Sequence, residues 1–333
     1  MNCKRFLPWM GILLLCSCRQ NPHDIDVSGI QVTIRPEQFG TDLFSPGRNG
    51  LKTLREKYGT FPNLFCRQII RIGAAGDSML EKGLEDFSSD PGMRELYKNC
   101  AEKFSARDID ALADELSDAF RHYKYYFPRK PVPKVITFIS GYNYAIVAAD
   151  SLLGIGVDMY LGDDFRAYSA LGYPRYKIRR MRKEYITADC MRGWQESEYE
   201  DDGKDFLSQA LYQGKILYFL DAMLPRTPDS IKTGYTASQL AFCKKNEVNI
   251  WSFFVEKKIL FSTNQNEFIR YLSDGPTTSG LPPEAPAMLG AWTGWQIIKK
   301  YMQENPSVTL DRLMEEKDSQ KILNKSRYKP QKN

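Results

Sequence analysis

The sequence predicts an α+β protein, a mostly helical single domain with a small sheet. Apolar residues recur at helical spacing both before and after a central block, and that block is a compact run of β-branched and aromatic strands. No alternation of strand and helix and no internal repeat runs through the chain, which argues against repeated βαβ units. With 333 residues, 42% of them apolar and 13% aromatic, one large core can be filled.

Met1–Cys18 reads as a targeting segment. Lys4 and Arg5 give it a positive start, and Phe6–Leu15 is apolar apart from Pro8. Leu15-Cys16-Ser17-Cys18 resembles the bacterial lipobox, with an aliphatic residue at −3, a small one at −1 and a cysteine to be acylated. Leu13-Leu14-Leu15-Cys16 fits less well because its −1 residue is bulky. The expected division is residues 1–17 as a signal peptide, 18–29 as a polar tether and 30–333 as one domain. The apolar stretch is too short to span a bilayer, but several acyl chains at about 0.8 kcal/mol per buried methylene hold a protein at a membrane. Beyond Cys18 the cysteines are Cys66, Cys100, Cys190 and Cys243, whose wide spacing matches no metal motif and leaves free thiols or bridges equally open.

The elements follow in order. Ile30–Arg35 alternates and is expected to be a first strand. Helical patterns follow at Leu51–Tyr58, Met93–Phe104 and Asp108–Tyr125, the last with Asp108 as its expected N-cap. Pro128, Pro131 and Pro133 then break the chain. Val135–Ser140, Ala145–Ala149 and Leu152–Leu161 read as strands. Further helices are expected at Phe206–Met223, Ser238–Val255, Glu267–Ser273 and Pro286–Met302, with two short ones near Leu310 and Ser319. Phe206–Met223 is apolar nearly all round, so it should be buried.

Charge and composition exclude several functions. With 46 basic and 41 acidic residues of mixed distribution, nothing marks a nucleic-acid binder. Only two histidines, His23 and His122, occur, so multi-histidine metal sites are excluded by count. Gly154-Ile-Gly156-Val-Asp158 lacks the third glycine of a dinucleotide loop. Asp158, Asp163 and Asp164 form an acidic run suited to acid–base work or a hard cation, although such carboxylates are commonly solvated caps. Tyr212, Lys215 and Tyr218 are the polar functions embedded in the buried helix, where a lysine is either a desolvated amine or simply ion-paired. Arg175–Lys183 holds six basic residues in nine, and Glu196–Asp202 five acidic ones in seven. Either the two runs pair with each other or lie exposed, or the basic one meets lipid headgroups or an acidic partner. Trp251, Trp292 and Trp295 lie in apolar stretches, so packing is favoured over stacking on sugars.

Several blocks taken together resemble a known family. They are the lipobox, Ile139-Ser-Gly-Tyr-Asn, Asp150-Ser-Leu-Leu-Gly-Ile-Gly-Val-Asp-Met-Tyr-Leu-Gly, Gly214-Lys-Ile-Leu-Tyr-Phe-Leu-Asp, Gly290-Ala-Trp-Thr-Gly-Trp-Gln-Ile-Ile and Ile322-Leu-Asn-Lys-Ser-Arg-Tyr-Lys-Pro. In this order they are similar to the gliding-motility-associated GldB lipoproteins of Bacteroidota. The resemblance implies an envelope lipoprotein associated with gliding motility or, in non-gliding relatives, with some other envelope task; with the lipobox, the expectation is a protein lipid-anchored through Cys18, facing the periplasm and meeting other envelope proteins of a gliding or secretion machinery. More distantly, the arrangement is similar to zinc-peptidase-like (zincin) domains, with Phe206–Met223 in place of the His-Glu-x-x-His helix. At that place the chain reads Leu211-Tyr-Gln-Gly-Lys-Ile-Leu-Tyr, so the metal ligands are missing.

The expectation is therefore a protein without metal, cofactor or catalysis, with Tyr212, Lys215, Tyr218, Asp158 and Asp163 as candidate cleft residues. The alternative is a degenerate peptidase or glycan hydrolase using Asp158, Asp163 and Asp221 with Lys215. Glycan binding would require Trp292 and Trp295 at the surface.

Overall fold

The structure, a computed structural model, describes residues 21–45, 50–72, 76–149, 151–201 and 203–331. The segment expected to be a signal peptide, and Cys18, lie outside these residues. Four strands form one sheet in the order β1 (Glu37–Gln38), β2 (Lys134–Phe138), β4 (Leu152–Gly156), β3 (Ile146–Ala149). β2 runs parallel to both β1 and β4, while β3 and β4 make an antiparallel hairpin. Helices occupy most of the remainder, 59% of the chain, so the α+β reading holds.

Strand alternation decides what each face of the sheet meets. Ile136, Phe138 and Gly154 share one face, where Phe138 packs on Phe61 and Phe65 with ring centroids 5.6 and 6.2 Å apart. Phe39 completes this cluster against Phe61 at 5.0 Å. The opposite face carries Thr137, Ile155 and Ile146 and is covered by the helix Ile186–Glu198, which approaches Ile146 closely at Gly193. That helix was not foreseen in the sequence, nor was Asp77–Ser89.

The zincin resemblance places Phe206–Met223 on the strands. In the structure Ile186–Glu198 holds that position, and Phe206–Met223 packs most extensively on Leu289–Glu304. The two helices meet backbone to backbone. A Cβ at Gly214 would lie 2.3 Å from the Gly294 carbonyl carbon, and one at Gly294 would lie 1.9 Å from the Ala210 oxygen. Only glycine permits this approach. Around it Trp292, Trp295, Leu211 and Ile298 are buried.

Other expectations need correction. The first strand is Glu37–Gln38 and not Ile30–Arg35, because the Ile34 N–H is taken by the Ser117 hydroxyl at 2.8 Å. Ser105, not Asp108, caps the helix Ala106–Tyr126; Asp108 sits three residues in and accepts from the Ser105 N–H, a reciprocal capping box. Strand character ends at Gly156, and a 3₁₀ turn occupies Val157–Met159. The expected helix Ser238–Val255 is two, Ala237–Lys245 and Glu247–Glu256, parted at Asn246, whose side chain bonds the Phe242 carbonyl at 2.9 Å. Cys66, Cys100, Cys190 and Cys243 are buried free thiols, and burial pushes the Cys66 thiol up to about 11.

Candidate functional site

Residues read as a tether lie, from Asn21 on, against the body of the protein. The Asn21 amide donates to the Pro225 carbonyl at 2.8 Å, Asp24 pairs with Arg226 at 3.5 Å, and Val27 is buried. His23 is brought to the middle of the buried helix, its Nδ1 2.8 Å from the Tyr126 hydroxyl and its ring edge-on to Tyr218 at 5.0 Å. Beside it Asp221 accepts from Lys232 at 2.5 Å and from the Trp295 indole at 2.8 Å. Lys299 completes the cluster, 3.6 Å from Asp221 and 3.2 Å above the Trp295 ring centroid. Burial holds the His23 imidazole below its ordinary value, with Lys232 and Lys299 adding to the effect and Asp221 opposing it. Burial likewise lowers Lys299. The cluster is a structural lock that joins the N-terminal segment to the helices Ala106–Tyr126, Phe206–Met223 and Leu289–Glu304.

A cavity of about 450 Å³ opens elsewhere, where four loops converge. Arg175, Arg179 and Arg180 come from the basic run; Thr233–Tyr235, Asp274–Pro276 and Pro286–Met288 supply the other walls. The walls are pinned to each other. The Arg179 guanidinium donates to the Gly234 carbonyl at 2.8 Å, the Tyr235 hydroxyl to the Ala287 carbonyl at 2.6 Å and the Thr278 hydroxyl to the Pro286 carbonyl at 2.6 Å. Gly234 has φ +72°, and a Cβ there would be 2.9 Å from Arg180 Nε, so this glycine leaves room for the guanidinium. Met288 adopts φ +57°, a left-handed conformation rare for a side chain of its size, and it starts the helix Leu289–Glu304 without a side-chain cap. The positive end of that helix thus stands at the cavity wall.

Among the described residues the ion pairs of the basic run go elsewhere than to Glu196–Glu200. Lys183 reaches Asp108 at 2.6 Å, Arg182 reaches Glu184 at 3.0 Å and Arg180 lies 3.8 Å from Asp274. The Arg175 guanidinium has no ion pair or hydrogen bond among the described residues.

The candidate residues from the sequence are dispersed. Asp158 is fully enclosed and accepts from the Ser140 N–H and hydroxyl, both at 3.0 Å, and from the Tyr142 N–H at 2.6 Å, which fixes the turn after β2. Burial raises its carboxyl above the ordinary range against these bonds. Asp163 is exposed on the rim of the arginine cavity. Tyr212 and Lys215 share a second cleft of about 420 Å³. There the Lys215 ammonium donates to the Glu316 carbonyl at 2.5 Å and lies 3.4 Å from that of Met314, and the Tyr212 hydroxyl donates to the Tyr199 carbonyl at 2.9 Å. Tyr218 faces His23. Trp292 and Trp295 are buried, which removes the condition for glycan stacking there.

Sequence reasoning missed the contribution of His23, Lys232 and Lys299 to the Asp221 cluster, and of Tyr235, Asp274 and Met288 to the cavity. For the cavity one signal was present, the proline-rich lead-in at Pro282–Pro286. Among the described residues no group of three or more His, Cys, Asp or Glu side chains is placed to hold a metal ion, and no helix is long and apolar enough to cross a membrane.

No curated protein and no solved structure matches the chain. The family described as gliding motility protein GldB matches residues 20–330, nearly the whole chain, in agreement with the ordered blocks. The protein belongs to the GldB family of gliding motility proteins.

Proposed function

We propose that this protein is a non-catalytic cell-envelope lipoprotein, acylated at Cys18 and facing the periplasm, that serves the gliding or a related secretion machinery through protein contacts. Family membership supports the association with gliding motility, and the lipobox supports the anchor. The observation that carries the non-catalytic reading is how the candidate acid–base groups are used. Asp158 is taken up by a turn, Lys215 by the carbonyls that end the helix Leu310–Glu315, and Asp221 by Trp295 and Lys232. Each satisfies buried polar groups of the fold, a role that accounts for its burial without chemistry.

The test is purification of the full chain from detergent-solubilised membranes. Discrete envelope proteins are expected to co-elute in fixed ratio, and Cys18→Ser is expected to release the chain from the membrane fraction. Hydrolysis of a peptide or cell-wall substrate by the purified protein, abolished in a folded Lys215→Met variant, would overturn the proposal.

A further inference from the structure

We propose that the arginine-lined cavity binds an acidic peptide segment of a partner protein. This rests on the protein-contact reading above and names where such a contact is made.

The cavity's size comes first. About 450 Å³ lies within the range of sites that enclose small ligands, and a few peptide side chains fill it. Its charge comes next. Arg175, Arg179 and Arg180 stand against Asp163 and Asp274, and the positive end of the helix Leu289–Glu304 adds to the basic side. Arg175 has no partner among the described residues, and at 3.8 Å the Arg180–Asp274 pair is too long for a hydrogen bond. The Arg175 fork is therefore available to a carboxylate, which it matches bidentately, and Arg180 adds positive potential beside it.

The walls are preorganised. The hydrogen bonds from Arg179, Tyr235 and Thr278 tie three of the loops together, so binding has little loop ordering to offset. Pro276, Pro286, Met288 and Ile178 supply apolar surface between the charges.

The mixed signs decide the ligand. A compact oxyanion would meet Arg180 and Asp274 together and be repelled by the carboxylate. A peptide places an acidic side chain on Arg175, which no carboxylate opposes, while its backbone N–H groups donate to Asp163 and Asp274. The alternation of donors and acceptors in the cavity is complementary to such a chain.

The probe is a fluorescein-labelled octapeptide of alternating Glu and Gly, titrated into the full chain in detergent and followed by anisotropy. Saturable binding is expected, at least tenfold weaker in Arg175→Glu and unchanged in Lys52→Glu, an exposed residue that gives the same change of net charge. Equal losses in the two variants, or no saturable binding, would overturn the proposal. Inorganic phosphate that binds with the same dependence on Arg175 and displaces the peptide would overturn it in favour of a simple anion site. If Arg175→Glu loses the peptide but every envelope protein still co-elutes with it, this cavity is not the contact and the protein-contact reading stands. If nothing co-elutes with the wild type, that reading fails by itself.

Discussion

Replacing Gly294 with alanine separates two opposing expectations. Helix propensity alone predicts that Gly→Ala inside Leu289–Glu304 stabilises by about 1 kcal/mol. The structure predicts the reverse. The new methyl would lie 1.9 Å from the Ala210 carbonyl oxygen, where ordinary contact needs about 3.4 Å, so the helices must part by roughly 1.5 Å. The obstacle is backbone, so no side-chain rotamer relieves it, and the movement loosens Trp292, Trp295 and Leu211 at the same crossing. Overpacking costs about 3 kcal/mol at the upper end of its usual range, which leaves a net destabilisation of about 2 kcal/mol after the propensity gain. Urea unfolding followed by tryptophan fluorescence measures it directly. Gly214→Ala should cost a similar amount, and the double variant less than the sum, because the first methyl already holds the helices apart. A Gly294→Ala protein as stable as wild type or more so, or strictly additive effects, would refute the close crossing.

Three further outcomes are expected. Asp221→Asn should destabilise by about 3 kcal/mol, the low end for a broken buried pair because Lys232 keeps Asp229 at 3.1 Å, and adding Lys232→Met should restore part of the loss in the same urea assay. Asp158→Ala removes the acceptor of the two buried Ser140 donors and of the half-buried Tyr142 N–H and should cost about 3 kcal/mol, with faster amide exchange at residues 140–144 but not at 206–223. Docking of residues 21–27 should depend on pH. Because burial holds His23 below 6.5, the undocked segment binds more protons, so docking is fully present above about pH 6.5 and weakens as pH falls toward the depressed value. The protection of these amides relative to the intrinsic exchange rate at each pH should fall between pH 7.5 and 5.5, and His23→Gln should flatten the change; equal protection at both pH values in the wild type would contradict the assignment.

What the sequence made legible follows from the range of the interactions involved. Phe206–Met223 and Leu51–Tyr58 match their expected ends residue for residue, since capping and apolar spacing are local. The three central strands were visible because β-branched runs stood between proline and glycine. Ile186–Glu198 was hidden because Gly193 interrupts it and its last residues were read as part of a charged run. The site was less legible than the fold. His23 meets Tyr126 across about a hundred residues of chain, and no local pattern announces such a contact. The basic run was conspicuous, but the loops that turn it into a cavity carry only proline and glycine as a signal, so its neighbours emerged only when the chain was folded.

The docked N-terminal segment sets a distance. Cys18 and Asn21 are three positions apart, a span of about 10 Å even at full extension, and Asn21 is already fastened to Pro225. Were Cys18 acylated, as proposed, the folded body would have no long leash on which to wander; it would stand close to the bilayer, with the face around Arg226 and Tyr126 nearest the headgroups and the exposed Tyr125 ring beside it. A partner would then have to approach from the side or from above, and the surface it finds would be chosen by the short stretch of chain between Cys18 and Asn21.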